Sequence, residues 1–410
     1  MKSYFLLLLL LGLSLAENPF SGEDYEAGLI EIAEGDELFY WLVRSRNDKN
    51  KDPLVIWLNG GPGSSSELGL FYENGPWKIN DDLTLRTNEY SWNEVANVLY
   101  LDQPIDVGFS KTEHYNHIPT DEDAIADDFY VFITLFLERF PEYKGRPFYI
   151  TGESYAGHYI PAMTARIIEK NNSDINIVAS AIGNGWVYPR LQYPEYRTFA
   201  DENELISTLH SYLLKAGFWF CDVLIGTKLK MAAYSHCEFV AESVVGYPPA
   251  FNNYDIRDKC EHGCYDFSNL NKLLNLKEVR QAINMDDRKY RSSSSRVFFK
   301  MRKDQLDNLS PKVRYSLDNG VGMFIYSGDQ DYICNWRGGE AWTNEIFWDG
   351  QQRFRAAQYQ TWSVDDTPAG EFKQEGQFTF LKFYQAGHLV PMDQPKNALE
   401  MFKKFLAREF

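Results

Sequence analysis

Residues 149–157 read YITGESYAG. A serine with small, glycine-flanked neighbours, following an apolar strand pattern and preceding a helical one, meets the demands of a nucleophile elbow. The hydroxyl stands at a sharp strand-to-helix turn, and the helix start offers an N–H and a positive dipole to an oxyanion. The fifth position of the G-x-S-x-G pattern is Ala156, followed by Gly157, so the match is near rather than complete. An activated serine needs a base, and in this layout the acid and then the histidine follow it in the chain. Of the histidines after Ser154, His158 lies on the helix leaving the elbow, while His210, His236 and His262 fall in a stretch of different character. His388 sits in QAGHLVPMDQP, directly after the strand pattern FTFLKFY. Asp331 follows another strand pattern in GMFIYSGDQDYICNW. Asp329 competes with it, but reads more simply as a turn-capping aspartate after Gly328. The expected triad is Ser154, Asp331 and His388, with Asp331 orienting the imidazole and His388 taking and returning the proton.

The oxyanion needs a second donor from a glycine-rich loop after an earlier strand. WLNGGPGSSSE, residues 57–67, supplies one: Gly60 and Gly61 let the backbone approach closely, so that Gly61 N–H and Tyr155 N–H converge on one oxygen. A phosphate-binding loop is the rival reading, but no Lys-Ser/Thr pair follows. Glu153 is harder to place. A carboxylate beside the attacking oxygen repels the anion that forms, unless the substrate itself requires an acid there.

These residues need a scaffold that brings strand ends together. Apolar runs mark strands at residues 37–44, 53–58, 97–101, 147–150, 177–182, 322–326 and 378–384, with helical patterns between several of them, including residues 121–139 and 160–169. Such alternation implies an α/β protein with a largely parallel sheet covered on both faces. From about residue 188 to 314 the character changes to helical stretches (204–214, 272–283), four of the five cysteines and no clear buried strand. The organisation expected is a core of residues 17–187 and 315–410 with an inserted helical cap subdomain at 188–314. Residues 397–410 form an amphipathic helix that packs on the sheet.

With 410 residues and 44% hydrophobic composition, the chain can bury one large core. A net charge of −17 disfavours nucleic acid and anionic membrane surfaces as partners. Residues 1–16 combine a lysine, an apolar run and a small-residue end, and read as a cleaved secretory signal; a membrane anchor is the other reading, but the run is shorter than the ~20 residues a bilayer requires. The five cysteines fit an oxidising compartment with two pairs and one thiol left over, Cys334 being the odd one. Sequons at Asn171 and Asn308 agree with secretory passage. No cofactor or metal is expected.

WLNGGPGSSS, GESYAG, GDQDYICNW and AGHLVPMDQP, in this order and at these separations, resemble the serine carboxypeptidases, notably the carboxypeptidase Y and cathepsin A type. The likeness runs from about Tyr25 to the C-terminus. It implies an α/β-hydrolase core with a helical insertion, maps Ser154, Asp331 and His388 onto the triad, and maps Gly61 and Tyr155 onto the oxyanion hole. It also maps Asn59, Glu73 and Glu153 onto the group that binds the substrate's terminal carboxylate; for Glu73 the residues alone favour a solvated surface acid. Two glutamates can hold a carboxylate only if at least one is protonated, and a shared proton among crowded carboxyls raises their apparent pKa. The implied activity is removal of C-terminal amino acids from peptides and proteins at acid pH through an acyl-enzyme. Gly60, Leu68, Tyr72, Tyr155, Ile333, Cys334 and Leu389 are expected to line a pocket favouring large apolar side chains.

In an oxidising lumen Cys260 and Cys264 are expected to form a local bridge, with Cys221–Cys237 as the second, although CEHGC could instead hold a metal with His262; the resemblance matches Cys334 to a free thiol near the site, its plainer reading being an inert buried cysteine. One departure is plain. Ser64 stands where a cysteine bridged to the insertion is expected, and SSSSRVFF (292–299) lacks the partner, so a less tightly held pocket is expected. The alternatives are a carboxypeptidase-like acyltransferase or esterase, which the presence of both glutamates argues against, and a protective partner of lysosomal enzymes. The destination expected is the lysosome or vacuole, or the cell exterior. Peptide or protein C-termini are the partner, no stable membrane insertion is foreseen, and a homodimer is left open.

Overall fold

The computed structural model describes residues 19–260 and 264–410; the signal segment 1–16 and His262 lie outside the described residues. Among the described residues thirteen strands form: β1 (Tyr25–Ala33), β2 (Asp36–Val43), β3 (Leu54–Leu58), β4 (Trp77–Ile79), β5 (Leu85–Thr87), β6 (Asn97–Asp102), β7 (Lys111–Thr112), β8 (Pro147–Glu153), β9 (Asn176–Gly183), β10 (Gly322–Gly328), β11 (Gln360–Val364), β12 (Thr367–Glu375) and β13 (Phe378–Phe383). Ten make one continuous path, β1-β2-β6-β3-β8-β9-β10-β13-β12-β11, with β7 paired to β2, while β4 and β5 pair separately. The central run β6-β3-β8-β9-β10-β13 is parallel throughout. The flanks are antiparallel.

The central strands are apolar over their whole length because both faces are covered; β3, β6 and β10 are buried at every residue. On one face lie α1 (Glu122–Arg139) and α2 (Ala156–Lys170). Asp121 starts α1 by accepting the Ala124 N–H at 3.0 Å, and its stripe Ile125, Phe129, Phe132, Ile133 and Phe136 is buried. On the other face the C-terminal helix Pro395–Ala407 stacks Phe402 on Trp92, with centroids 4.0 Å apart.

β9 and β10 are neighbours in the sheet although residues 184–321 separate them in the chain. That stretch runs through α3 (Pro189–Glu202), α4 (Thr208–Ile225) and α5 (Lys230–Val245) before returning through shorter helices. The expected helix at 204–214 instead begins at Thr208, because Ser207 caps it and Glu204 has a left-handed φ of 56°. The helix expected at 272–283 divides into Ser268–Leu274 and Lys277–Ala282, separated by extended Leu276. Cys221 is bonded to Cys237 and Cys260 to Cys264, while Cys334 is a buried free thiol. Among the described residues, no helix is long and apolar enough to cross a membrane and no cluster is suited to hold a metal ion.

Candidate active site

Ser154 follows β8 directly and has φ 63°, a left-handed conformation that is uncommon for a side chain other than glycine. Three backbone bonds hold it there. Its N–H donates to Gly183 O at 3.0 Å, and its carbonyl accepts from Gly157 N at 2.9 Å and Trp186 N at 3.0 Å. Only a residue without Cβ fits at position 157, where a Cβ would stand 2.6 Å from Trp186 O. The 59–64 loop presses equally closely on the elbow. A Cβ at Gly60 would lie 2.3 Å from Tyr155 N and 2.9 Å from Ser154 Cβ, which places the Gly60–Gly61 backbone beside the Tyr155 N–H.

Asp331 and His388 follow β10 and β13, two adjacent strands, so the parallel sheet delivers both to the same edge as Ser154. His388 Nδ1 lies 2.8 Å from Asp331 Oδ2, with both side chains buried. Three further donors fix the carboxylate: Asn184 Nδ2 at 2.7 Å, Ile333 N at 3.0 Å and Cys334 N at 3.2 Å. Asn184, just past β9, also accepts from Gly328 N at 3.2 Å and so ties the ends of β9 and β10 together. Asp329 accepts the Gln385 N–H at 2.8 Å, linking the two loops, and does not contact the imidazole. From the insertion, Tyr254 stacks on the His388 ring and its carbonyl accepts the His388 backbone N–H at 2.7 Å.

Asn59, Glu73 and Glu153 converge although 94 positions separate the first from the last. Asn59 Nδ2 donates to Glu73 Oε1 at 3.0 Å and to Glu153 Oε1 at 2.9 Å. Its Oδ1 accepts from Trp57 Nε1 at 2.9 Å and Gly69 N at 3.0 Å, which fixes the amide so that its NH₂ faces the acids. All three residues are buried, and Glu73 Oε2 has no hydrogen-bond partner. Burial raises both carboxyls above the ordinary range, and the neighbouring charge of Glu73 adds to the rise at Glu153. Glu73 is therefore no solvated surface acid. Lys78, which donates to Glu73 O at 2.7 Å, is itself pushed down to about 7 by burial.

The profile of the family described as serine carboxypeptidase matches residues 16–408. The chain belongs to the serine carboxypeptidase family. Serine carboxypeptidase-like 49 of Arabidopsis thaliana is 42% identical over 395 residues, covering 93% of this chain and 76% of that protein. Serine carboxypeptidase 3 of Hordeum vulgare is 41% identical over 379 residues, covering 90% and 74%. The structure of Kex1(delta)p, a prohormone-processing carboxypeptidase from Saccharomyces cerevisiae, superposes with a TM-score of 0.85 at 27% identity, covering 94% of this chain and 92% of that one. The protein is a serine-type carboxypeptidase, an exopeptidase hydrolase on the α/β-hydrolase fold with a helical insertion.

In this carboxypeptidase the missing cysteine pair is replaced by backbone pairing. Ser64 and Ser293 form an antiparallel bridge, with Ser65 N donating to Ser292 O at 3.0 Å and Ser294 N to Gly63 O at 2.9 Å. The 59–64 loop and the insertion thus remain joined without a cross-link. Of the expected pocket residues, Leu68, Tyr72 and Ile333 keep exposed surface, whereas Gly60, Cys334 and Leu389 are buried. Tyr155 turns its side chain inward, where its hydroxyl donates to Asp304 Oδ2 at 2.7 Å. Asn171 and Asn308 are both exposed. Asn184, Tyr254 and Asp304 escape sequence reading because none stands in a motif, although Asn184 follows a strand end just as Asp331 does.

Proposed function

We propose that this serine carboxypeptidase removes C-terminal amino acids in acid through an acyl-enzyme. His388 takes the Ser154 hydroxyl proton as Oγ attacks the scissile carbonyl, Asp331 orients the imidazole, and the Gly61 and Tyr155 N–H groups receive the oxyanion. Collapse breaks the peptide bond and the amine of the departing residue takes the proton from His388. Water then attacks the acyl-serine with His388 as base, releasing the shortened peptide and restoring Ser154.

The observation that carries this reading is the shared Asn59 amide between two buried carboxyls. With one proton between them, the protonated carboxyl can donate to a substrate carboxylate while the amide holds the pair together. With none, two negative charges repel it. The same reading assigns residues 188–314 as a cap over the core of residues 17–187 and 315–410, supported by Tyr254 and Asp304 reaching the elbow and the histidine. Entry to the secretory route, ending in a lysosome, vacuole or the exterior, accords with two exposed sequons and two disulfides.

A blocked dipeptide, N-acyl-Phe-Leu, compared with its C-terminal amide at pH 4.5 tests the assignment. The free acid is expected to be the better substrate by at least tenfold in kcat/KM, with Ser154→Ala inactive on both. Equal rates on acid and amide would remove the exopeptidase recognition while leaving the serine chemistry intact.

A further inference from the structure

Glu73 closes the π-helical turn Gly69–Glu73, in which Asn74 N donates back to Gly69 O at 3.0 Å. A turn this short leaves its last carbonyls without partners of its own. Lys78 supplies them. Reaching back from β4, its Nζ donates to Tyr72 O at 2.6 Å and to Glu73 O at 2.7 Å, so one ammonium holds the peptide groups on both sides of Glu73. The Glu73 side chain is fixed at one oxygen by the Asn59 amide and open at the other. Its backbone is fixed by Lys78.

The position is unfavourable for a lysine. In the β4–β5 pair Lys78 stands directly opposite Arg86, and like charges so placed destabilise a sheet. Burial pushes Lys78 down to about 7 against the attraction of Glu73, and Arg86 adds to the fall. An uncharged residue would avoid both penalties, so a cation kept there points to a use for its charge.

The carboxyl pair has such a use. With one proton shared, Glu73 and Glu153 carry one negative charge, and a substrate carboxylate brings a second. Burial raises Glu73, and the charges of Lys78 and His388 act on it in the opposite sense. His388 must be neutral to take the Ser154 proton, which leaves it unable to offset the arriving charge. Lys78 is charged below about 7 and can.

We propose that Lys78 is a positioning residue for carboxylate recognition, given the role of Asn59, Glu73 and Glu153 on which this rests: its ammonium pins the peptide groups of Glu73 and offsets the charge that the substrate's carboxylate adds. It acts at the carboxylate end of the substrate and not at the reacting carbonyl. Its loss therefore appears in KM and not in kcat.

Steady-state kinetics of the full chain on N-acyl-Phe-Leu and on its C-terminal amide at pH 4.5 test this, with Lys78→Met, Lys78→Gln and Lys78→Arg beside the wild type. Loss of one charge near the site is expected to raise KM for the free acid by about tenfold in Lys78→Met and Lys78→Gln, and to lower the acid-to-amide ratio of kcat/KM by a similar factor. Lys78→Arg, which keeps a cation and its donors, should recover most of that ratio. A loss shared equally by acid and amide makes Lys78 a packing residue and overturns the proposal, as does a wild-type ratio in Lys78→Met. A ratio restored by Lys78→Gln as fully as by Lys78→Arg overturns the part given to charge. A wild type that treats acid and amide alike overturns the carboxylate-binding role itself, and that of Lys78 with it.

Discussion

The ring of Tyr254 lies flat on the imidazole of His388, with centroids 4.8 Å apart and planes 10° from parallel. The same residue accepts the His388 backbone N–H. A residue of the insertion therefore sets both the height and the tilt of the imidazole, adding to the in-plane anchor that Asp331 provides.

Loss of that platform should be felt in turnover. An aromatic contact contributes about 0.5–1.5 kcal/mol beyond burial, so Tyr254→Leu is expected to lower kcat/KM by roughly three- to tenfold and Tyr254→Phe to leave it near wild type, as measured on a blocked dipeptide at fixed pH. If Tyr254→Phe costs as much as Tyr254→Leu, the hydroxyl and not the stacked ring is responsible.

Stability should fall as pH rises out of the acid range. Glu67 and Asp102 form a second buried carboxyl pair, with Phe109 N donating to Asp102 Oδ2 at 2.8 Å and Glu67 Oε1 unpartnered. Burial raises both, and the charge of Asp102 adds to the rise at Glu67. Burial likewise carries Asp128, Asp304 and Asp393 each to about 6. A carboxyl raised in the folded state binds protons more tightly than the unfolded chain does. Its contribution is complete below the unfolded value near 4 and is lost as pH climbs through about 6 and above. His158, held down to about 4 by burial, opposes this between about 4 and 6.5, and Lys78 opposes it only above about 7. The acids outnumber these two, so calorimetry should show a Tm that falls from pH 4.5 to pH 8, with a shallower fall for Glu67→Gln.

Much of the site is legible in the sequence because each catalytic candidate follows an apolar strand and carries its own glycine punctuation. The outer strands are not. β12, TPAGEFKQE, mixes charges with apolar residues because it buries Lys373 against Phe354 and Tyr359 on one face and sets Phe372 against Phe410 on the other, and β1 pairs only with β2. Their registers come from neighbours, which a single segment does not reveal. Asp304 and Tyr254 belong to a region without periodicity of its own, and only the folded insertion brings them to Tyr155 and His388.

The Cys221–Cys237 bridge closes a separation of 16 residues. Loop-closure entropy predicts a contribution of about 3 kcal/mol for such a loop. Cys221→Ala combined with Cys237→Ala should lower the urea midpoint accordingly, while Cys334→Ala, a change at a buried free thiol, leaves both bridges in place. An unchanged midpoint in the double variant would mean that α4 and α5 are held by packing alone.

The most direct measurement is kcat/KM for N-acyl-Phe-Leu from pH 4 to pH 8 in the wild type and Glu153→Gln. Carboxylate recognition by a shared proton predicts a wild-type profile high in acid and falling through neutrality, chiefly through KM, and a flatter profile for Glu153→Gln, which keeps a donor at every pH. A variant whose profile falls in parallel with the wild type would contradict the role given to Glu153 and Glu73.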